Sequence, residues 1–316
     1  MTRVLTIGAG LFGVLLTLTA CEASPKKRSV ILTTDVGCEV DDQWAMVALL
    51  RSRELETLGI VTTHAPNLEA PAAEFSAGVA RDVISRLELD KSPPVFAGSS
   101  DPLESNDRPR RNVGVDFIVE SARGFDADNR LVVVTLGATT DVASALLVDG
   151  GLADRIEVVT MGFMGWPGGE DPWNIKNDAH AYRAILASGV PITVGSAEVC
   201  QLHLTVERDD LRAQTRGLGV LGEFLRDSSL RWIDEHIETC RKYTGREAWV
   251  LWDLVTVGHL LGMTTVEHYP RPDLDDDLRF VFPPEDAPKR PPIGWMTALD
   301  AKAFWKDFRQ KNILRD

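Results

Sequence analysis

From residue 29 onward the chain alternates short apolar, β-branched runs with stretches whose apolar positions recur at helical spacing. "SVILTTD" (29–35), "LETLGIVTT" (55–63), "PPVFAG" (93–98), "LVVVTLG" (131–137), "RIEVVTMG" (155–162) and "PITVGS" (191–196) read as strands. "DDQWAMVALLRSR", "EAPAAEFSAGVARDVISRL", "VGVDFIVESARG", "TTDVASALLVDG" and "NDAHAYRAILASG" fall between or after them and read as helices. Strands that are apolar almost throughout and separated by helices predict an α/β fold with a mostly parallel central sheet and helices on both faces. After residue 200 the pattern turns more helical, in "VERDDLRAQ", "GVLGEFLRDSSLRWIDEHIETCRKYTG" and "WVLWDLVTVGHLLG". The tail "RPDLDDDLRFVFPPEDAPKRPP" predicts strands or loops. No internal repeat, low-complexity tract or linker interrupts residues 30–316, which therefore read as one domain.

The N-terminus follows a different pattern. Residues 1–20, "MTRVLTIGAGLFGVLLTLTA", place one Arg before an apolar run that ends in small residues, the order of an export signal. The run is short for a membrane span of about 20 residues and contains Gly and Thr. Its ending, "LTAC", resembles a bacterial lipobox. That resemblance implies a lipidated Cys21, a linker over residues 21–29, membrane contact through the lipidated N-terminus, and a place in the bacterial cell envelope. Cys38, Cys200 and Cys240 remain, an odd number with no close pair, which argues against a disulfide scaffold. Of the 316 residues 44% are hydrophobic, enough for a sizeable core, and a net charge of −13 argues against a nucleic-acid partner.

Ligands of such sheets gather beyond the C-terminal ends of the strands. The sequence places Asp35, Asn67, Gly137 and the loop ending in "WNIKND" there. The turn "TTDVGCEVDDQWA" holds Asp35, Glu39, Asp41 and Asp42 within eight positions. An acid at a helix start caps free N–H groups and suits the helix dipole, which accounts for Asp41 or Asp42 but less naturally for Asp35 at the exit of a buried strand. Carboxylates crowded together raise one another's pKa unless a cation offsets the repulsion. An all-oxygen set selects a hard divalent ion, calcium ahead of magnesium because calcium accepts more ligands in looser geometry. No Cys/His spacing suits zinc, and the order of an EF-hand loop is missing. The first turn also lacks a dinucleotide-binding glycine run. Cys38, inside the turn, reads as a site-lining thiol or a buried one.

The turn resembles the N-terminal "DxDxGxDD" signature of the inosine-uridine-preferring nucleoside hydrolases, in a longer form "TDxGxExDDQxA". Further stretches follow in that family's order. "GIVTTHAPN" is similar to "GITTVAGN", "VVTLGATTDVASAL" to "ATGPLTNIALAL", "WNIKNDAHAYRAIL" to "EFNIxxDPEAA", and "VLWDLVTVGHLL" to "HDPLAVAYLL". The resemblance implies a nucleoside-hydrolase-like fold and calcium-dependent hydrolysis of the N-glycosidic bond of ribonucleosides or related N-ribosides by a metal-activated water. By position it makes Asp35 a calcium ligand and proton acceptor for the attacking water, Asp42 and Asp253 further ligands, and Leu136 a ligand through its carbonyl. Asp41, Asn67 and Asn174 become ribose contacts.

The sequence departs from the pattern on the leaving-group side. The family's histidine before the last aspartate is Trp252 here, which either stacks on a leaving base or packs in the core. Pro172 stands where a glutamate is expected two residues before Asn174, which leaves Glu170 or Asp171 to reach the ribose site. His64, near Asn67, is either a proton donor or base contact, or a structural or solvent-facing histidine. Two other functions stay open: a hydrolase of another sugar-containing or nucleoside-like compound, and a nucleoside- or ribose-binding lipoprotein with weak or no turnover. A homo-oligomer is compatible with either.

Overall fold

The apolar runs line up side by side in a single eight-stranded sheet. The computed structural model describes residues 27–171 and 173–313; the leader, Cys21, most of the linker and Pro172 lie outside the described residues. The strands are β1 (Arg28–Thr34), β2 (Leu55–Thr62), β3 (Val95–Ala97), β4 (Leu131–Thr135), β5 (Ile156–Met161), β6 (Ile192–Gly195), β7 (Thr205–Val206), β8 (Trp249–Val250), β9 (Thr264–Tyr269), β10 (Asp273–Leu274), β11 (Phe280–Val281) and β12 (Ile293–Leu299). The α-helices are α1 (Asp41–Leu50), α2 (Ala72–Ser85), α3 (Val113–Ser121), α4 (Thr140–Val148), α5 (Asn174–Asn177), α6 (Ala179–Ser188), α7 (Ala197–His203), α8 (Arg208–Thr215), α9 (Gly219–Glu235), α10 (Ile237–Thr244), α11 (Leu254–Leu260) and α12 (Ala301–Asn312).

The main sheet runs β3-β2-β1-β4-β5-β6-β12-β9. Every pairing from β3 to β12 is parallel, and β9 closes the edge antiparallel to β12. Successive residues of a strand face opposite sides of a sheet, and two cores follow from that alternation. Val30 and Leu32 join Val132 and Val134 in a core with Trp44, Leu254 and Phe304. Ile31 joins Val133 in the other core, with Val115, Val142 and Ile185. Helices therefore cover both faces, as the apolar strands predict. Among the described residues no helix is long and apolar enough to cross a membrane.

Two C-terminal stretches differ from their sequence patterns, and the tail follows its own. The long helical run over 219–245 breaks at His236 (φ −121°, ψ 32°) into α9 and α10. "WVLWDLVTVGHLLG" begins as strand, because Trp249 and Val250 pair antiparallel with Val206 and Thr205, and turns helical only at Leu254. The tail forms the small β10–β11 hairpin, followed by a loop into β12.

The strand order has one reversal near its middle. From β1 the chain moves one way to β2 and β3, and then crosses back to β4 on the other side of β1. A crevice opens beyond the C-terminal ends of strands at such a point, and Asp35 and Leu136 directly follow the two strands that flank it.

Candidate functional site

The turn from β1 into α1 is held by its own backbone and by Thr34. The Cys38 N–H donates to the Asp35 carbonyl at 3.1 Å, and the Val36 N–H donates to Thr34 Oγ1 at 3.1 Å. Thr34 in turn donates its hydroxyl hydrogen to the Asp42 carboxylate. Gly37 takes φ +105°, a conformation that favours glycine, and a Cβ there would be tight against Val79 at 3.1 Å and Phe75 at 3.2 Å. Helix α1 then starts at Asp41 with acidic residues in its first turn, where the dipole favours negative charge.

Four aspartates converge in this crevice, each no more than 4% exposed: Asp35, Asp41, Asp42 and Asp253. Asp253 stands at the start of α11, which packs against α1. Carboxylate oxygens of Asp41, Asp42 and Asp253 all lie within 4.8 Å of one another. Asp35 lies outside that trio but beside it. Burial raises its pKa well above the ordinary carboxylate range, and the charges of Asp42 and Asp41 raise it further. Asp41 is raised chiefly by burial, then by Glu39 and Asp42. Asp253 is raised by burial and then by all four neighbouring acids. Asp42 rises to about 6 through burial, with the Thr34 hydrogen bond opposing the rise, and Glu39 rises to about 8 through burial and the Asp35 charge. A buried, all-oxygen, mutually repelling donor set fits a hard divalent cation and is costly without one. Asp41, a ribose contact by its sequence position, has a carboxylate oxygen close enough to those of Asp42 and Asp253 to share an ion with them.

The cavity has a volume of about 260 Å³, and Asp35, Glu39, Asn67, Leu136, Asp171 and Trp252 are among the residues that line it. The Leu136 carbonyl accepts from Asn174 Nδ2 at 2.6 Å and keeps a second lone pair for another partner. Asn174 spends its amide hydrogens on the Leu136 and Met161 carbonyls, and its Oδ1 has no partner among the described residues. Asn67 is tied to the turn: its Oδ1 accepts from Cys38 Sγ at 2.8 Å and its Nδ2 donates to the Cys38 carbonyl at 3.3 Å. Asp171 accepts from the backbone N–H groups of Phe163 (2.8 Å) and Trp173 (2.6 Å), and burial raises its pKa to about 6. Trp252 is half-buried and stands edge-to-face to Trp249 and Tyr243, at 6.1 and 6.2 Å between ring centroids.

Two sequence candidates lie away from this cavity. Glu170 is exposed and pairs with Arg279 at 3.1 Å. Its φ of +54° turns the chain so that Asp171, the next residue, lines the cavity in its place. His64 lines an adjacent hollow that shares Trp173 with the main cavity. Its Nε2 lies 2.9 Å from Thr140 Oγ1, which donates its hydrogen to Asp178 at 2.7 Å, so Nε2 carries the ring hydrogen. Burial lowers the pKa of His64.

Of the cavity's aromatic wall the sequence reading singled out only Trp252. Trp232, His236 and Tyr243 reach the cavity from α9, α10 and the break between them. In the sequence these positions read only as one helix. The available signal was the density of aromatic and imidazole side chains over residues 232–252.

Comparisons with known proteins agree with this architecture. A family profile described as "Inosine-uridine preferring nucleoside hydrolase" matches residues 30–306. An uncharacterized protein of Schizosaccharomyces pombe is 29% identical over 207 residues, which cover 57% of this chain and 64% of that relative's length. Uridine nucleosidase 1 of Arabidopsis thaliana is 22% identical over 242 residues, 68% of this chain and 69% of that protein. Among solved structures, a plant nucleoside hydrolase superposes with a TM-score of 0.72 at 18% identity, over 92% of this chain and 100% of that one.

Proposed function

The chain belongs to the inosine-uridine preferring nucleoside hydrolase family, and from that premise we propose that it hydrolyses the N-glycosidic bond of ribonucleosides or closely related N-ribosides with a bound calcium ion. The observation that carries the proposal is the buried trio Asp41, Asp42 and Asp253, beside Asp35 at the reversal of strand order. Calcium, when bound, supplies the positive charge that keeps these carboxylates ionised and makes water easier to deprotonate. Asp35, Asp42, Asp253 and the Leu136 carbonyl would hold it, and the nearness of Asp41 to Asp42 and Asp253 supports Asp41 as a further ligand.

Asp35 is the proton acceptor for the attacking water: it borders the cluster without being enclosed in the trio, and an ionised carboxylate there serves as general base. Breaking a ribosyl C–N bond builds positive charge on the sugar. The surrounding carboxylates therefore favour the transition state over the neutral substrate. Asn174 Oδ1 and Asn67 supply acceptor and donor positions for ribose hydroxyls. Trp252 offers a flat face to the base.

The test is release of free base from inosine and uridine by the leader-free protein in calcium, with Asp35→Asn as the control. Loss of a general base predicts a fall in kcat of about 100-fold or more; equal release by both proteins would falsify the role given to Asp35. Calcium-dependent ribose binding without turnover would instead favour a binding protein, and release from other N-glycosides alone would move the substrate class.

We also propose that residues 1–20 are an export signal, that Cys21 carries lipid, and that the enzyme works at the bacterial cell envelope. The order of basic start, apolar run and "LTAC" supports this reading.

A further inference from the structure

We propose that His236 donates the proton that the departing base needs. The inference rests on the N-riboside reading above and deepens it at the end of the site where the sequence puts Trp252 in the family histidine's place. An indole N–H does not titrate in the physiological range, so Trp252 can stack on a base but cannot protonate it.

His236 is the one histidine among the residues lining the cavity. It occupies the break between α9 and α10, half-buried, with its ring stacked on Trp232 at 3.8 Å between centroids and 21° between planes. Its Nδ1 lies 3.1 Å from the Trp232 carbonyl oxygen. A carbonyl only accepts, so Nδ1 carries a hydrogen, and the ring is fixed both in plane and in tautomer. Nε2 has no hydrogen-bond partner among the described residues. In the imidazolium, Nε2 is an N–H donor held for a ligand.

The other ionisable groups of the cavity suit the task less well. Burial pushes the Cys38 thiol up, and burial with Glu39 pushes the Tyr243 phenol up, so both hold their protons more tightly than usual. Glu39, Asp35, Asp41, Asp42 and Asp253 belong to the acidic cluster, where a cation favours the ionised, accepting form, and both carboxylate oxygens of Asp171 are engaged as acceptors of the Phe163 and Trp173 N–H groups. Imidazole can both give and take a proton through one ring nitrogen, and Nε2 is the nitrogen left open for that exchange.

The step balances without a further reactant. Water forms the new C–O bond at the anomeric carbon and gives its proton to Asp35. The C–N bond breaks with its electron pair going to the base nitrogen, and that base takes the Nε2 proton. Asp35 then returns a proton to solvent and His236 takes one back, leaving free sugar and neutral base.

The experiment compares leaving groups. Wild type, His236→Gln and His236→Phe are assayed on inosine and on 4-nitrophenyl β-D-ribofuranoside, whose phenolate departs without a proton. His236→Phe keeps a ring stacked on Trp232, which separates packing from proton donation. For both variants kcat/KM on inosine is expected to fall about 100-fold or more, and on the activated riboside by less than about 5-fold. Equal losses on the two substrates, or no loss on inosine, overturn the proposal. If wild type hydrolyses the activated riboside but no ribonucleoside, there is no leaving base for His236 to protonate and the proposal falls. If it hydrolyses neither, the N-riboside reading itself fails.

Discussion

Gly137 shows how tightly single positions define the site. It follows Leu136, and a Cβ on it would lie 2.4 Å from Asp35 Oδ1, closer than any real contact. Asp35 must therefore move, or the start of the loop after β4 must. Gly137→Ala is expected to lower kcat about 100-fold by misplacing the base, since a displacement of about 1 Å at a reacting group costs that much. Its circular dichroism and cooperative melting should stay close to wild type. Unchanged kcat in a variant that melts normally would show that the Asp35 position is not critical. In the sequence Gly137 reads only as the end of a strand; the contact that forbids a side chain comes from a residue 102 positions earlier.

At the scale of an element, the β1–α1 turn couples stability to pH and to calcium. In the ion-free protein its carboxylates bind protons more tightly folded than unfolded, because burial and mutual repulsion raise their pKa values. Such groups stabilise the fold below the unfolded pKa of about 4, and that contribution is lost as pH climbs through the folded values. The window runs through about 6 for Asp42 and about 8 for Glu39. Calcium binds the ionised form, so its stabilising effect should run the opposite way and grow with pH. Thermal melts in chelator and in calcium should therefore differ more at about pH 8 than at about pH 5. The same difference at both pH values would count against a cation held by this turn. The break between α9 and α10 matters at the same scale: it turns one predicted helix into two and leaves His236 at the corner.

The whole molecule places these parts by topology. Strand order reverses between β1 and β4, so residues from positions 35, 136 and 253 meet at one edge although they are far apart in sequence. The proposed N-terminal export signal is tested at the same scale. If Cys21 anchors the chain, metabolic labelling with palmitate should tag the wild-type protein and sediment it with membranes, while Cys21→Ser stays unlabelled. Label retained in that variant would place the lipid elsewhere or remove the lipoprotein reading.

The alternation of apolar strands and helices by itself determined the sheet class, since burial on both faces leaves few polar positions within a strand. The acidic turn could be read as an ion site for a similarly local reason: four acids at one strand exit need a cation or a proton. Tertiary structure decided which oxygens converge. It grouped Asp41 with Asp42 and Asp253, left Asp35 beside them, and turned Glu170 toward Arg279. It also brought Trp232, His236 and Tyr243 to the cavity wall. Those placements depend on helix packing and loop closure between distant segments. A sequence pattern records which face of an element is apolar but not which neighbour that face will meet.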